Sequence, residues 1–243
     1  AMHTFPRQIG FEKRPPSSWI DEKMWEMRND TQPAYILPPS DLLTSGPSGL
    51  TYHPGAGFLE SEKGRFLICD YKGGAASSGI WSFAMEPDGG GMKMTDARKF
   101  NWGVAATDVE YSFDGRLFIA DFVTGWRSHE DGRLLSLNAG DNMYLPGETK
   151  HAAELISEGF DQRSSNELAK LLAHADSRVR LRAQIALTRK LDAIKFFTLA
   201  AASENRIERI HGIWGLGIIA RRGAAPSPAN HFTTLPRKGL REA

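Results

Sequence analysis

Two strings in this chain, GRFLICDY at 64–71 and GRLFIADF at 115–122, are nearly the same and start 51 positions apart (115 minus 64). Each opens on Gly-Arg, runs through apolar residues and ends on an Asp followed by an aromatic. A short, almost continuous apolar run bounded by glycine predicts a strand covered on both faces. The surroundings repeat too. SGLTYHPG, GRFLICDY, SGIWSFAM and GMKMTDARKFNWG are followed by ATDVEYSFDG, GRLFIADF and GRLLSLNAG, with hairpin signals at Pro87-Asp88-Gly89 and Asp114-Gly115. An ordered series written twice constrains the fold more than any single strand does. Two rounds of about fifty residues predict a radial β repeat, a partial β-propeller of about two blades over 46–148. The alternative is an antiparallel sandwich whose likeness between rounds is accidental.

After that segment the apolar period changes from two to about 3.6 residues. SSNELAKLLAHADSRVRLRAQIALTRK reads as helix, turn, helix. Ser165 is a candidate cap of the first helix, with Leu168, Leu171 and Leu172 on one face. Asp176 or Ser177 would cap the second, with Val179, Ala183, Ala186 and Leu187 inward. LDAIKFFTLAAASENRIERIHGIWGLGIIARR repeats the unit. Setting Arg180 on Arg209, 29 positions on, puts Ala183 on Gly212, Ile185 on Trp214 and Ala186 on Gly215. Small residues recur where neighbouring helices must approach closely. This predicts a short HEAT-like α-solenoid over 149–222, with a period below the roughly 40 residues usual for that class. The fold class is thus multidomain, β then α.

The flanks differ. Residues 1–45 carry paired prolines and read as an irregular N-terminal loop or insertion. It has one short helix capped by Ser18 and packs through Trp19, Trp25 and Tyr35. Residues 223–243 are rich in Pro and Arg without period and read as a disordered tail.

Composition removes several functions. With 243 residues the chain can bury a sizeable core, and its net charge of +1 gives no general attraction to nucleic acid. No apolar run is long enough to span a membrane. The opening AMHTFPRQIG lacks the basic-then-apolar pattern of a signal peptide. Cys69 is the single cysteine, so an internal disulfide, a Cys-x-x-Cys metal site and a Cys-x-x-Cys-His haem attachment are all excluded within these residues. Lying in an apolar run, it reads as a small buried hydrophobe.

The strings GPSGLTYHPG, FLICDYKGG, SGIWSF, TDVEYSFDGRLFIADFVTGW and RIHGIWGLG resemble the membrane-bound dehydrogenase-like, haem-binding-domain multidomain proteins of planctomycete-type bacteria. The resemblance implies a glucose/sorbosone dehydrogenase-like propeller, then HEAT repeats, then a cytochrome domain. It also implies an extracytoplasmic, periplasmic setting and oxidation of a sugar or alcohol, with pyrroloquinoline quinone and calcium as cofactors. The chain carries only about two blades and no haem motif, and six such blades need about 300 residues. It is therefore expected to be a fragment, inactive alone, of a quinoprotein-like sugar or alcohol dehydrogenase. The alternative is a non-enzymatic module that binds a glycan or a protein partner.

Candidate residues follow the repeated strand. Asp70 and Asp121 end it; a carboxylate there can hold a hard cation such as calcium or close the next loop by accepting its N–H groups. Occurring in both copies, they favour the structural role. Lys72, Trp126, Arg127 and His129 follow those strands and could bind an acidic cofactor, the cations pairing its carboxylates and Trp126 stacking on it. The bland alternative is a solvated loop with Trp126 packed away. Asp108 and Glu110, two apart on a strand, share a face and could act as acid and base, or form a solvated polar face. The first round has Gly49 and Thr51 in their places. His53 reads as a turn residue, His174 and His211 as solvated or interface residues, and the arginines of 178–189 as a solvated helix face.

Overall fold

A computed structural model describes residues 26–27, 29–30, 43–57, 59–126, 131–138 and 147–223. The N-terminal helix expected at Ser18, with Trp19, Trp25 and Tyr35, lies outside the described residues, as do 224–243. The chain divides into two compact units, one of Ala1–His53 and Gly57–Tyr144, the other of Pro54–Ala56 and Leu145–Ala243.

The first unit holds seven strands in two antiparallel sheets. β1 (Pro47–Tyr52), β2 (Arg65–Asp70), β3 (Gly79–Asp88) and β4 (Gly91–Trp102) form one sheet in chain order. β5 (Ala106–Tyr111), β6 (Leu117–Asp121) and β7 (Arg133–Leu137) form the other. The repeated string is the second strand of each sheet, and the pairing repeats with it. Asp70 stands opposite Pro47 and Gly79, and Asp121 opposite Ala106 and Arg133. Leu67, Cys69, Ile80, Val109, Leu117 and Ile119 are buried in one core that both sheets share. Each such aliphatic side chain contributes about 1.5–3 kcal/mol on burial. The Cys69 thiol is pushed up to about 12, first by that burial and then by the Asp108 charge, so it is an inert core residue as its setting in the sequence suggested.

The expected partial propeller followed by a HEAT-like solenoid is not what forms. The two sheets are open: β1 and β4 are the edges of one, β5 and β7 the edges of the other, and nothing among the described residues closes them about a common axis. The repeat specifies the order and register of strands within a sheet. It does not specify how two sheets are arranged, which depends on side chains outside the repeated string. The long edge β4 carries Lys93, Asp96, Arg98 and Lys99, charges that oppose edge-to-edge pairing.

The second unit holds five helices: α1 (Gly147–Glu158), α2 (Ser165–Leu171), α3 (Ser177–Leu187), α4 (Ala193–Ala201) and α5 (Arg206–Gly223). The cap of α2 is Ser164, one residue before the expected Ser165. Its hydroxyl accepts from the Glu167 N–H while the Glu167 carboxylate accepts from the Ser164 N–H, a complete capping box. Asp176 caps α3, accepting from the Arg178 N–H at 2.8 Å. The core gathers Leu168, Leu172, Val179, Ala183, Ala186, Leu187 and Phe197. The small residues at 212 and 215 do what their spacing implied. A Cβ on Gly212 would strike the backbone of Ala200 and Ala201, and one on Gly215 would strike the Phe197 ring. The register of 29 is visible in hydrogen bonds. Arg180 Nη1 donates to the carbonyls of His174 and Ala175, and Arg209 Nη1 to those of Ser203 and Glu204. The arginines expected to form a solvated face therefore include one, Arg180, that closes the turn before α3, as Arg209 closes the turn before α5.

Candidate functional site

The loops that leave β2 and β6 run together. Gly74 and Thr124 form an isolated bridge, the Gly125 N–H donates to the Gly73 carbonyl at 2.6 Å, and the Tyr71 hydroxyl donates to the Gly125 carbonyl. Desolvation by burial raises the Tyr71 pKa, which keeps that hydroxyl a donor. Tyr71 meets Phe122 and Trp126 edge-on, with ring centroids 5.6 Å and 4.9 Å away. Trp126 lies against Gly73, where φ is +84° and a Cβ would strike the indole. Only glycine suits that position, for both reasons. The result is an indole that is fixed on one side and 65% exposed. The structure thus brings the loops that carry Lys72 and Trp126 together, and Trp126 is not packed away. Arg127 and His129 lie outside the described residues.

Lys72 is shared between two neighbours. Its ammonium is 2.8 Å from the Asp70 carboxylate and 5.9 Å from the Trp102 ring centre. Lys99 lies 4.2 Å over the same ring, and Trp102 meets Trp81 edge-on at 5.5 Å. Tyr71, Trp102 and Lys99 were not singled out from sequence. The signal available for Tyr71 was its match to Phe122 in the repeat; for Trp102 and Lys99 there was none beyond an aromatic at a strand end.

The two strand-end aspartates are buried and saturated. Asp70 accepts from the Gly46 N–H at 3.1 Å and the Trp81 indole N–H at 3.2 Å, besides Lys72. Burial by itself would raise its pKa, but hydrogen bonds from Lys72, Thr44 and Trp81 outweigh it and hold the carboxyl below its ordinary value. Asp121 accepts from the Val123 N–H at 2.9 Å and from Arg133 through Nε at 3.0 Å and Nη2 at 2.5 Å. Oxygens already filled by N–H donors and a side-chain cation do not fit a calcium site. Among the described residues no group of three or more His, Cys, Asp and Glu side chains is placed to hold a metal ion.

Asp108 and Glu110 are both exposed on β5, opposite Ala120 and Phe118 of β6. Asp108 accepts from the N–H of Val109 at 2.9 Å, and its backbone lies against Gly49 of β1, where any Cβ would strike it. The pair shares the face its spacing implied. His53 is 2% exposed and meets Tyr111 edge-on at 4.9 Å.

Comparison of the chain with family models, with curated proteins and with solved structures found no match.

Proposed function

We propose that this chain is a non-enzymatic binding module whose first unit takes a saccharide on the exposed face of Trp126. One observation carries this reading: a large aromatic side chain is two-thirds exposed yet held from behind by Gly73 and Tyr71. A fixed indole loses little conformational freedom on binding, and its face suits the apolar C–H face of a sugar ring. Lys72, partly exposed in the adjoining loop, offers N–H donors to ring hydroxyls or to a sugar carboxylate.

The test is a titration of the full chain with neutral and uronic-acid-containing oligosaccharides, read by tryptophan fluorescence and calorimetry. Binding is expected, with at least a tenfold loss in Trp126→Ala, about 1.4 kcal/mol. Saturating sugar with no heat and no fluorescence change overturns the reading. The redox reading implied by the resemblance uses the same Lys72 and Trp126, so pyrroloquinoline quinone with calcium forms a second arm. Tight quinone binding with dye-linked oxidation of a sugar or alcohol would replace the binding-module proposal with that of a dehydrogenase.

A further inference from the structure

The helical unit contains a seam whose hydrogen bonds require two neutral histidines. His211 of α5 is 8% exposed and lies between Gln184 and Arg180 of α3. Arg180 Nε is 3.3 Å from His211 Nε2 and can only donate, so Nε2 must accept. A neutral ring then carries its proton on Nδ1, which donates to Gln184 Oε1 at 2.5 Å. This also settles the orientation of the Gln184 amide, whose Nε2 is buried without a hydrogen-bond partner. The seam is therefore already imperfectly satisfied. His174, in the turn before α3, is constrained in the same sense. Its Nδ1 accepts from the Asp176 N–H at 3.0 Å, which an imidazolium cannot do.

Arg180 ties the two histidines together. Through Nη1 it donates to the carbonyls of His174 and Ala175, and through Nε it faces His211. The other groups around the seam do little to favour added charge. From α1, His151 places its ring 5.6 Å from His174. The nearby carboxylate, Asp176, is already bound by Arg178 at 2.6 Å. From α4, the Phe197 ring and the backbone of Ala200 and Ala201 meet α5 at Gly215 and Gly212. On α5 itself, Trp214 stacks on His211 at 6.1 Å and Arg222 reaches the Thr188 hydroxyl at 3.0 Å.

We propose that this seam is an acid-sensitive latch, in which protonation of His211 and His174 releases α5 from α3. A proton on His211 Nε2 would point an N–H at the Arg180 Nε–H and set two cations face to face. A proton on His174 Nδ1 would break the bond to Asp176 at the cap of α3. Burial, then Arg180, depresses the His211 pKa below the ordinary histidine value. His174 is depressed first by burial, with Asp176 opposing and His151 and Arg180 adding to it. With both native values depressed, the stabilisation is complete above the ordinary value of about 6.5. It is lost as pH falls below that and levels off once the native histidines protonate.

The experiment is amide hydrogen exchange of the full chain between pH 7.5 and 5.0, corrected for the intrinsic pH dependence of exchange. Protection across α5 is expected to fall at least tenfold, while β6 changes less than twofold. His211→Gln, neutral throughout, is expected to flatten most of the α5 response. Unchanged α5 protection in the wild-type chain at pH 5.0 overturns the proposal. So does an undiminished response in a folded His211→Gln chain. If that variant fails to fold, the NMR titration of the His211 ring in the wild-type chain decides. A midpoint below the ordinary histidine value supports the latch, and one at or above it overturns it.

Discussion

Asp70 and Asp121 stand at the same place in two copies of one strand, and Arg180 and Arg209 at the same place in two copies of one helix. The two pairs have drifted differently. Both arginines make the same bonds, each to two carbonyls of the preceding turn. The aspartates keep their position but not their partners. Asp70 is held by Lys72 of its own loop and by Trp81, whereas Asp121 is held by Arg133 across the ladder on β7. Where partners repeat, the residue belongs to the fold. Where they diverge, one copy is free to turn its loop to another use, and the Lys72 and Trp126 loops are where that divergence surfaces.

The largest test of this contrast lies in the two cores. Phe197→Ala removes a fully buried ring on which Gly215 closes, and is expected to lower the unfolding free energy by about 3–5 kcal/mol. Leu117→Ala in the shared sheet core should cost about 2–5 kcal/mol. Chemical denaturation followed by circular dichroism reads both. The arginines come next. Arg180→Ala and Arg209→Ala should each cost about 1.5–3 kcal/mol, the range for hydrogen bonds to charged groups. Only the Arg180 variant should also weaken the pH response of α5. Similar losses support a shared role in the fold; a silent Arg209 variant breaks the comparison.

Swapping carboxylate for amide at the strand ends gives a smaller effect. Asp70→Asn and Asp121→Asn should each cost about 1–2 kcal/mol, because the loop N–H bonds survive and the released cations reach solvent. Lys72→Met should change the dependence of stability on Asp70, which keeps its Gly46 and Trp81 donors, and leave that on Asp121 intact, as a double-mutant cycle would record. The smallest effect is at the β5–β6 turn. The Arg116 hydrogen bonds hold Asp114 down to about 2. Its contribution is complete above the ordinary carboxylate value and lost as pH falls towards 2. The pair is partly exposed and therefore worth under about 1 kcal/mol, read as the pH 5 to pH 2 change that Asp114→Asn removes.

How much of this was visible beforehand depends on the range of the signal. The repeated strands and buried Cys69 were legible because an apolar run between glycines is a local pattern. So was the inward set Leu168, Leu172, Val179 and Leu187, since helical spacing is local too. The hairpin at Pro87-Asp88-Gly89 was misplaced by one residue, with Gly89-Gly90 making the turn between paired Asp88 and Gly91. Gly89 takes φ +58°, which the neighbouring glycines left ambiguous. The Ser164 cap was missed by one residue for a similar reason, although Glu167 three residues on was the signal that distinguishes it from Ser165. What sequence did not show is non-local. Two similar strand series do not say whether their sheets close about an axis or stay open. An arginine such as Arg180, in a run with Arg178 and Arg182, looks solvated until the turn carbonyls it binds are in place. The meeting of the Lys72 and Trp126 loops depends on the Gly73–Gly125 bond, which joins residues 52 positions apart (125 minus 73).

The most direct test of the central claim uses the indole N–H signals of the six tryptophans in a ¹H–¹⁵N spectrum of the full chain, recorded during a saccharide titration. The account predicts that the Trp126 signal shifts progressively with ligand while that of Trp214, in the helical unit, stays in place. A titration that moves Trp214 and leaves Trp126 unmoved would contradict it.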